Sequence, residues 1–205
     1  MPLDRSLLRG KTTEQQNVIK YFLDTGCLAG LTRMKDDAYE QMVLAKINGL
    51  NLKQKALGKI GIDEDQLKAI SPVYLNGYHF GDGAIVGVGK DGRLRSSKYD
   101  ATWLFFSDTQ VYMYSYTVDM TSDAKKETTE EYFYKDITNF STSSETTEAT
   151  EISGCSGSNV KKIQREYNKF TLVVPGDKFT CSTTGVNDVD RSVSAMKQKL
   201  REKKQ

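Results

Sequence analysis

The sequence has few cysteines, and they are far apart. Its 205 residues include three, Cys27, Cys155 and Cys181, an odd number with no pair in C-x-x-C spacing. Disulfide frameworks use paired cysteines, and structural zinc sites need closely spaced ligands. We therefore expect a fold stabilised by neither disulfides nor a metal, in a reducing compartment such as the cytoplasm.

Histidine is scarcer still, which limits the catalytic chemistry available to the chain. His79 is the only one, so a Ser-His-Asp set, a histidine metal site or a histidine base would all depend on it. It lies between Tyr78 and Phe80 in a predicted strand, where packing is the favoured interpretation. We expect no enzymatic activity, no metal and no cofactor. An enzyme or small-ligand site near His79 and the glycine-rich run that follows it is the least favoured alternative.

Long apolar runs are also missing. Met1–Gln16 is polar, and no stretch approaches the roughly 20 apolar residues that cross a bilayer. The formal net charge is +2, which does not favour nucleic acid as a partner. The charge is uneven, however: residues 101–158 hold three Lys or Arg against ten Asp or Glu, and residues 159–205 hold eleven against five.

Helical periodicity marks the N-terminal third, residues 1–71, as a helical domain. One helix is predicted from Thr12 to Gly26, a second from Lys35 to Gly49, and shorter ones over 52–59 and 64–70. Residues 57–70 also match the spacing of a helix-turn-helix. The second helix of that unit would begin with three acidic residues, 63–65, which repel phosphates, so nucleic-acid binding is disfavoured.

Residues 72–98 form a glycine-rich connecting arm or hairpin in this interpretation. The spacing Gly87-x-Gly89-x-x-Gly92 matches a dinucleotide fingerprint by letters. That fingerprint binds phosphate only where its last glycine opens a helix after a buried strand. No helical period follows Gly92, so a flexible turn is favoured over a nucleotide site.

From residue 99 to residue 205 the pattern predicts seven short strands followed by one helix. The strands are predicted over residues 101–107, 110–119, 128–135, 137–147, 160–167, 170–174 and 178–183. The helix has an apolar stripe, Val189, Val193, Met196 and Leu200, and a basic opposite face. The predicted class is α+β, with a helical N-terminal region before an antiparallel barrel.

This order of elements resembles the pleckstrin-homology-like fold, a seven-stranded antiparallel β-barrel capped by a C-terminal helix. The segment Tyr134–Phe140 resembles a strand junction of bacterial members, and Phe170–Phe179 resembles their last hairpin. With Thr102–Ser107 and its helical leader, the whole chain resembles an uncharacterised bacterial family with such a domain. The first hairpin turn, Ser107–Gln110, has no Lys or Arg, so the resemblance does not imply phosphoinositide recognition.

Two groups of residues are candidate contact surfaces. Aromatic side chains alternate along two predicted strands and could face a partner, because tyrosine is enriched at interfaces. These tyrosines are Tyr112, Tyr114, Tyr116, Tyr132 and Tyr134. The end of the chain is basic and could contact an anionic surface, although cations at a helix C-terminus also simply complement its dipole. These basic residues are Lys197, Lys199, Arg201, Lys203 and Lys204.

The absence of a catalytic set favours a non-enzymatic interaction module. We expect it to bind a protein or peptide along a strand edge or the tyrosine face. The alternative is a peripheral protein that contacts anionic membranes through its basic C-terminal helix. Self-association remains open as well.

Overall fold

The computed structural model describes most of the chain, and every structural statement below concerns that part. The described residues are 3–25, 33–67, 71–81, 83–153, 159–183, 193–194, 197–198 and 201–202.

Three α-helices occupy the N-terminal third of the described residues. They are α1 (Thr13–Leu23), α2 (Asp36–Gly49) and α3 (Leu52–Ile60). A capping box begins α1, because Thr12 Oγ1 accepts from the Gln15 amide and the Gln15 side chain accepts from the Thr12 amide. Gly61 ends α3 with φ of 72°, a left-handed conformation that glycine adopts without strain. These helices confirm the first three predicted ones.

The fourth predicted helix is a short 3-10 turn, Glu64–Leu67, and residues 68–70 lie outside the described part. Two further 3-10 turns are Arg5–Leu8 and Tyr134–Asp136. None of the helices in the described residues is both long and apolar enough to cross a membrane.

Nine strands form two sheets in the described part of the chain. Sheet A has the order β1-β4-β5-β6 and sheet B the order β3-β2-β7-β8-β9. The strands are β1 (Val73–His79), β2 (Val86–Val88), β3 (Leu94–Ser96), β4 (Lys98–Phe106), β5 (Gln110–Asp119), β6 (Lys125–Phe133), β7 (Asn139–Ser153), β8 (Asn159–Val174) and β9 (Asp177–Ser182).

The predicted α+β class with a seven-stranded barrel is wrong, because the described residues are mainly strand, arranged in two sheets. The described strands form two separate sheets that do not close on one another, because the 3-10 turn Tyr134–Asp136 separates β6 from β7 and no ladder joins them. Sheet B also contains a parallel pair, in which Gly87 of β2 faces Thr150 of β7. A strand from the glycine-rich arm thus enters a sheet that the prediction built from consecutive antiparallel strands.

The number of strands after residue 99 also differs from the prediction. Two predicted strands, 160–167 and 170–174, are one strand, β8, whose register with β7 is unbroken from Asn159 to Val173. No C-terminal helix is among the elements of the described residues. Residues 193–194, 197–198 and 201–202 have helical backbone geometry, while Val189, Met196 and Leu200 lie outside the described part.

Both faces of sheet A are covered. Its helix-facing side packs under α1, α2 and α3 around Tyr39, Phe105 and Tyr114, all fully buried. Its other side packs on sheet B around Leu104, Met113, Phe170 and Leu172, with the predicted stripe residue Val193 in the same core. The order of layers is therefore helices, sheet A, sheet B.

The predicted boundaries at residues 71 and 98 stay predictions. The helical third shares a hydrophobic core with sheet A, for example through Val43 and Tyr99. The predicted connecting arm contributes β1 to sheet A and the β2–β3 hairpin to sheet B. Contacts thus cross both predicted boundaries.

Candidate functional site

The structure buries the tyrosines that were predicted to face a partner. Tyr114 is 0% exposed, Tyr116 5%, Tyr132 9% and Tyr134 4%, and Tyr112 is half-buried against the core under the helices. They also divide between two cores, because Tyr132 and Tyr134 pack between the sheets. The alternation of these tyrosines therefore reflects the burial of both faces of sheet A. The five tyrosines do not form one exposed surface.

The basic residues at the end of the chain are only partly described. Lys197 is half-buried and Arg201 is exposed, whereas Lys199, Lys203 and Lys204 lie outside the described residues. Contact of this segment with an anionic surface stays a prediction.

His79 belongs to a polar array between the two sheets. Its Nδ1 donates to Asp100 Oδ2 at 2.9 Å, and Thr117 Oγ1 donates to Asp100 Oδ1 at 2.7 Å. Burial raises the pKa of the nearby Cys181 thiol well above its usual range, with the Asp100 carboxylate adding to the effect. That thiol stays protonated at neutral pH and is a poor nucleophile. The array therefore ties β1, β4 and β5 together rather than presenting an activated cysteine.

A buried arginine connects helix α2 to the β2–β3 hairpin. The Arg95 side chain is 1% exposed, and its guanidinium donates to both oxygens of Asp91 at 2.7 Å and to Glu40 Oε1 at 2.5 Å. Tyr21 Oη donates to the neighbouring Asp36 at 2.8 Å. Among the described residues, Arg95 Nε has no partner. This Arg95 cluster, formed by Arg95, Asp91, Glu40 and Asp36, fixes the hairpin against the helix.

Gly89, part of the apparent dinucleotide fingerprint, leaves space for the side chains of this cluster. A Cβ atom at Gly89 would lie 2.3 Å from Arg95 Nη1 and 2.7 Å from an oxygen of Asp36. Only glycine leaves room for the guanidinium there. The middle glycine of the spacing that resembles a phosphate loop is thus explained by the close approach of an arginine to the backbone.

A surface pocket of about 570 Å³ adjoins the Arg95 cluster. Its charged lining residues are Arg33, Lys35, Asp36, Asp37, Lys90 and Asp91. The lining mixes three cations with three carboxylates, so it offers no consistent field to an anion or a cation.

The Arg95 cluster predicts a dependence of stability on pH. The hydrogen bonds from Arg95 lower the pKa of Asp91 to about 2 from its ordinary 3.8. A carboxyl group with a lowered pKa in the folded state stabilises the fold above its unfolded pKa, and this contribution is lost as pH falls through the folded one. We expect the unfolding free energy to decrease between about pH 4 and pH 2.

Urea unfolding at several pH values measures this dependence. The Asp91→Asn variant should be less stable at neutral pH and should show a flatter dependence in the same interval. Equal slopes for the two proteins would contradict a stabilising role for the Asp91 carboxylate.

The hairpin of β7 and β8 extends beyond the strands that pair with its two outer edges. Its strands span Asn139–Ser153 and Asn159–Val174, longer than any other strand among the described residues. β9 pairs with β8 only from Lys169 onward, and β2 pairs with β7 only at Thr150 and Glu151. No described strand therefore covers the outer edge of β8 from Asn159 to Tyr167, which we call the β8 edge.

The register shows which main-chain groups point outward at the β8 edge. The Thr183 amide donates to the Asn168 carbonyl at 2.9 Å on the β9 side. Main-chain groups of alternate residues point to the same side of a strand. In the first part of β8, the N–H and C=O groups of Val160, Lys162, Gln164 and Glu166 consequently face away from β7, and none of them bonds to another backbone group in the described residues.

Sequence reasoning missed this edge because it divided β8 at Asn168 and Lys169. Two polar residues between apolar ones resemble a turn. The signal that favours a continuous strand is the charge pattern, since the glutamates of β7 form ion pairs with basic residues of β8. Glu148 pairs with Lys162 at 2.8 Å, and Glu151 lies 4.0 Å from Arg165.

Comparisons with protein-family models, with curated proteins and with solved structures gave no match to this chain.

Proposed function

We propose that the chain is a non-enzymatic binding module that takes up an extended segment of a protein partner as an additional strand on the β8 edge. The observation that supports this is the row of outward main-chain groups at Val160, Lys162, Gln164 and Glu166. Strand addition is a common mode of peptide recognition, in which main-chain hydrogen bonds provide affinity and alternate side chains provide specificity.

The surroundings of the β8 edge suit such a partner. Proteins usually protect long edges with a bulge, a proline or a covering element. The ladder of β7 and β8 runs without a bulge, because each successive residue pairs in constant register, and β8 contains no proline. Val160, exposed at 46%, adds apolar surface near the start of the strand.

We further propose that the module acts in the cytoplasm. Cys181 is a free, buried thiol, and free thiols persist in reducing compartments. The predicted alternative, a second copy of the chain as partner, is tested by measuring the mass of the protein in solution before any peptide is added.

A proline placed on the β8 edge tests the proposed function. Gln164→Pro removes an outward N–H without removing a bond of the β7–β8 ladder, so we expect less than about 1 kcal/mol of lost stability. Binding of a strand peptide should be abolished. The probe is the uncharged peptide TQTVTQTVT, and the measurement is hydrogen exchange of the Lys162 and Glu166 amides in the full chain.

Thr146→Pro is the matched control, because it places proline on the outer edge of β7 in the same hairpin. Its binding should resemble that of the unaltered protein. Peptide-dependent protection that survives Gln164→Pro, or that is lost equally in Thr146→Pro, would refute the β8 edge as the site. Failure of this peptide and of its acidic counterpart to protect any edge amide would refute strand addition.

A further inference from the structure

We propose that the strand recognised by the β8 edge is acidic, with two carboxylates flanking an apolar residue on the face it shares with Lys161 and Arg165. This inference rests on the strand addition proposed above and specifies the partner's side chains.

Cations alternate with apolar side chains along one face of β8. Side chains two residues apart lie on the same face of a strand. On this face Lys161 and Arg165 are exposed, while Ile163 and Tyr167 are half-buried. Tyr167 packs on Phe80 with their ring centroids 4.8 Å apart, so the apolar positions are anchored and the cations extend beside them.

The covered side of β8 shows what this face accepts from a neighbouring strand. In β7, Glu151 faces Lys161 and Ala149 faces Ile163. Tyr167 Oη donates to Glu145 at 2.8 Å. β7 carries three glutamates and no Lys or Arg, whereas β8 carries four basic residues and one acidic residue. A strand on the open side would meet the same β8 side chains from the other direction.

The glutamates of β7 neutralise only part of the positive charge of β8. Among the described residues, the ion pairs of β8 involve Lys162, Arg165 and Lys169 but not Lys161. The Arg165 pair is long, at 4.0 Å, and Arg165 is 45% exposed. Opposite charges in cross-strand positions stabilise a sheet, and like charges destabilise it. The open side therefore favours carboxylates opposite Lys161 and Arg165.

Three blocked peptides test the charge preference on the full chain: TETVTETVT, TQTVTQTVT and TKTVTKTVT. The acidic peptide places glutamates on both sides of a valine, all on one face. We expect it to bind roughly fivefold to tenfold more tightly than the neutral peptide, since each exposed pair is worth up to about 1 kcal/mol. The basic peptide should bind least, and raising the salt concentration should reduce the differences.

A pair of substitutions assigns the preference to the proposed face. The double variant Lys161→Gln, Arg165→Gln should bind the acidic and neutral peptides equally. The control Lys162→Gln removes a cation on the opposite face and should keep the preference. Equal dissociation constants for the acidic and neutral peptides on the unaltered protein would overturn the acidic partner while leaving strand addition intact. An absence of edge protection with every peptide would instead refute the proposed function.

Discussion

Replacing Arg95 with alanine is expected to lower the unfolding free energy by about 3 kcal/mol. Removing one partner of a buried ion pair costs about 3–5 kcal/mol, because the remaining charges stay buried without compensation. We expect the lower end of this range, because the side chains of Glu40 and Asp91 are 33% and 38% exposed and can be hydrated once Arg95 is removed. Urea unfolding at neutral pH measures the difference.

Arg93→Ala is the matched control for that measurement. Arg93 lies two residues away in the same hairpin, but its side chain is 72% exposed, so we expect a loss below about 0.5 kcal/mol. Arg95→Met should be milder than Arg95→Ala, because the methionine fills part of the volume of the arginine stem. Similar losses for Arg93→Ala and Arg95→Ala would show that the Arg95 cluster contributes little to stability.

Tyr39→Ala is expected to cost about 4 kcal/mol, within the range for large aromatic truncations in cores. Tyr39 is 0% exposed. Its ring stacks on Tyr21 of α1 at 4.7 Å and lies 6.2 Å from Tyr78 of β1. Its hydroxyl donates to the Ser96 carbonyl at 2.6 Å. One side chain therefore connects two helices to strands of both sheets.

Two optical probes show whether these layers unfold together. Far-ultraviolet circular dichroism reports on the helices, and the fluorescence of Trp103 reports on sheet A, where its ring stacks on Tyr74 at 4.6 Å. We expect coincident urea transitions for the unaltered protein and for Tyr39→Ala.

Tyr39→Phe should cost about 1–2 kcal/mol through the unsatisfied Ser96 carbonyl. Leu44→Ala, at a residue that is 47% exposed on the same helix, should change stability by less than about 0.5 kcal/mol.

Separate transitions, with the helical signal lost first, would contradict this expectation. They would instead support the predicted helical domain of residues 1–71 as an independently stable unit.

Local signals in the sequence predicted the local elements well. The Thr12 cap and Gly61 mark helix ends that the structure confirms, and β5 has the predicted bounds, Gln110–Asp119. Caps and alternation act within a few residues, so they can be read from the chain alone. The predicted barrel failed because it depended on which distant strands pair, and a three-residue strand such as β2 leaves almost no pattern.

The candidate site was harder to predict for a related reason. The alternation of Tyr112, Tyr114 and Tyr116 shows only that the two faces of the strand carry different side chains. It does not show which face is exposed, and in the structure both faces of sheet A are covered. The prediction that a partner binds along a strand edge required knowing where β9 stops. Pairing of β9 with β8 ends at Lys169. The length of the β8–β9 hairpin sets this limit, and the residues of the β8 edge do not.

The parallel contact between β2 and β7 has a consequence for the order in which the chain folds. The hairpins of β4 with β5 and of β7 with β8 join neighbouring segments, whereas Gly87 must meet Thr150 across all of sheet A. Closing so long a loop costs entropy that is recovered only when the final contacts form, which slows folding. We therefore expect docking of the β2–β3 hairpin to be a late step that follows formation of the β7–β8 hairpin.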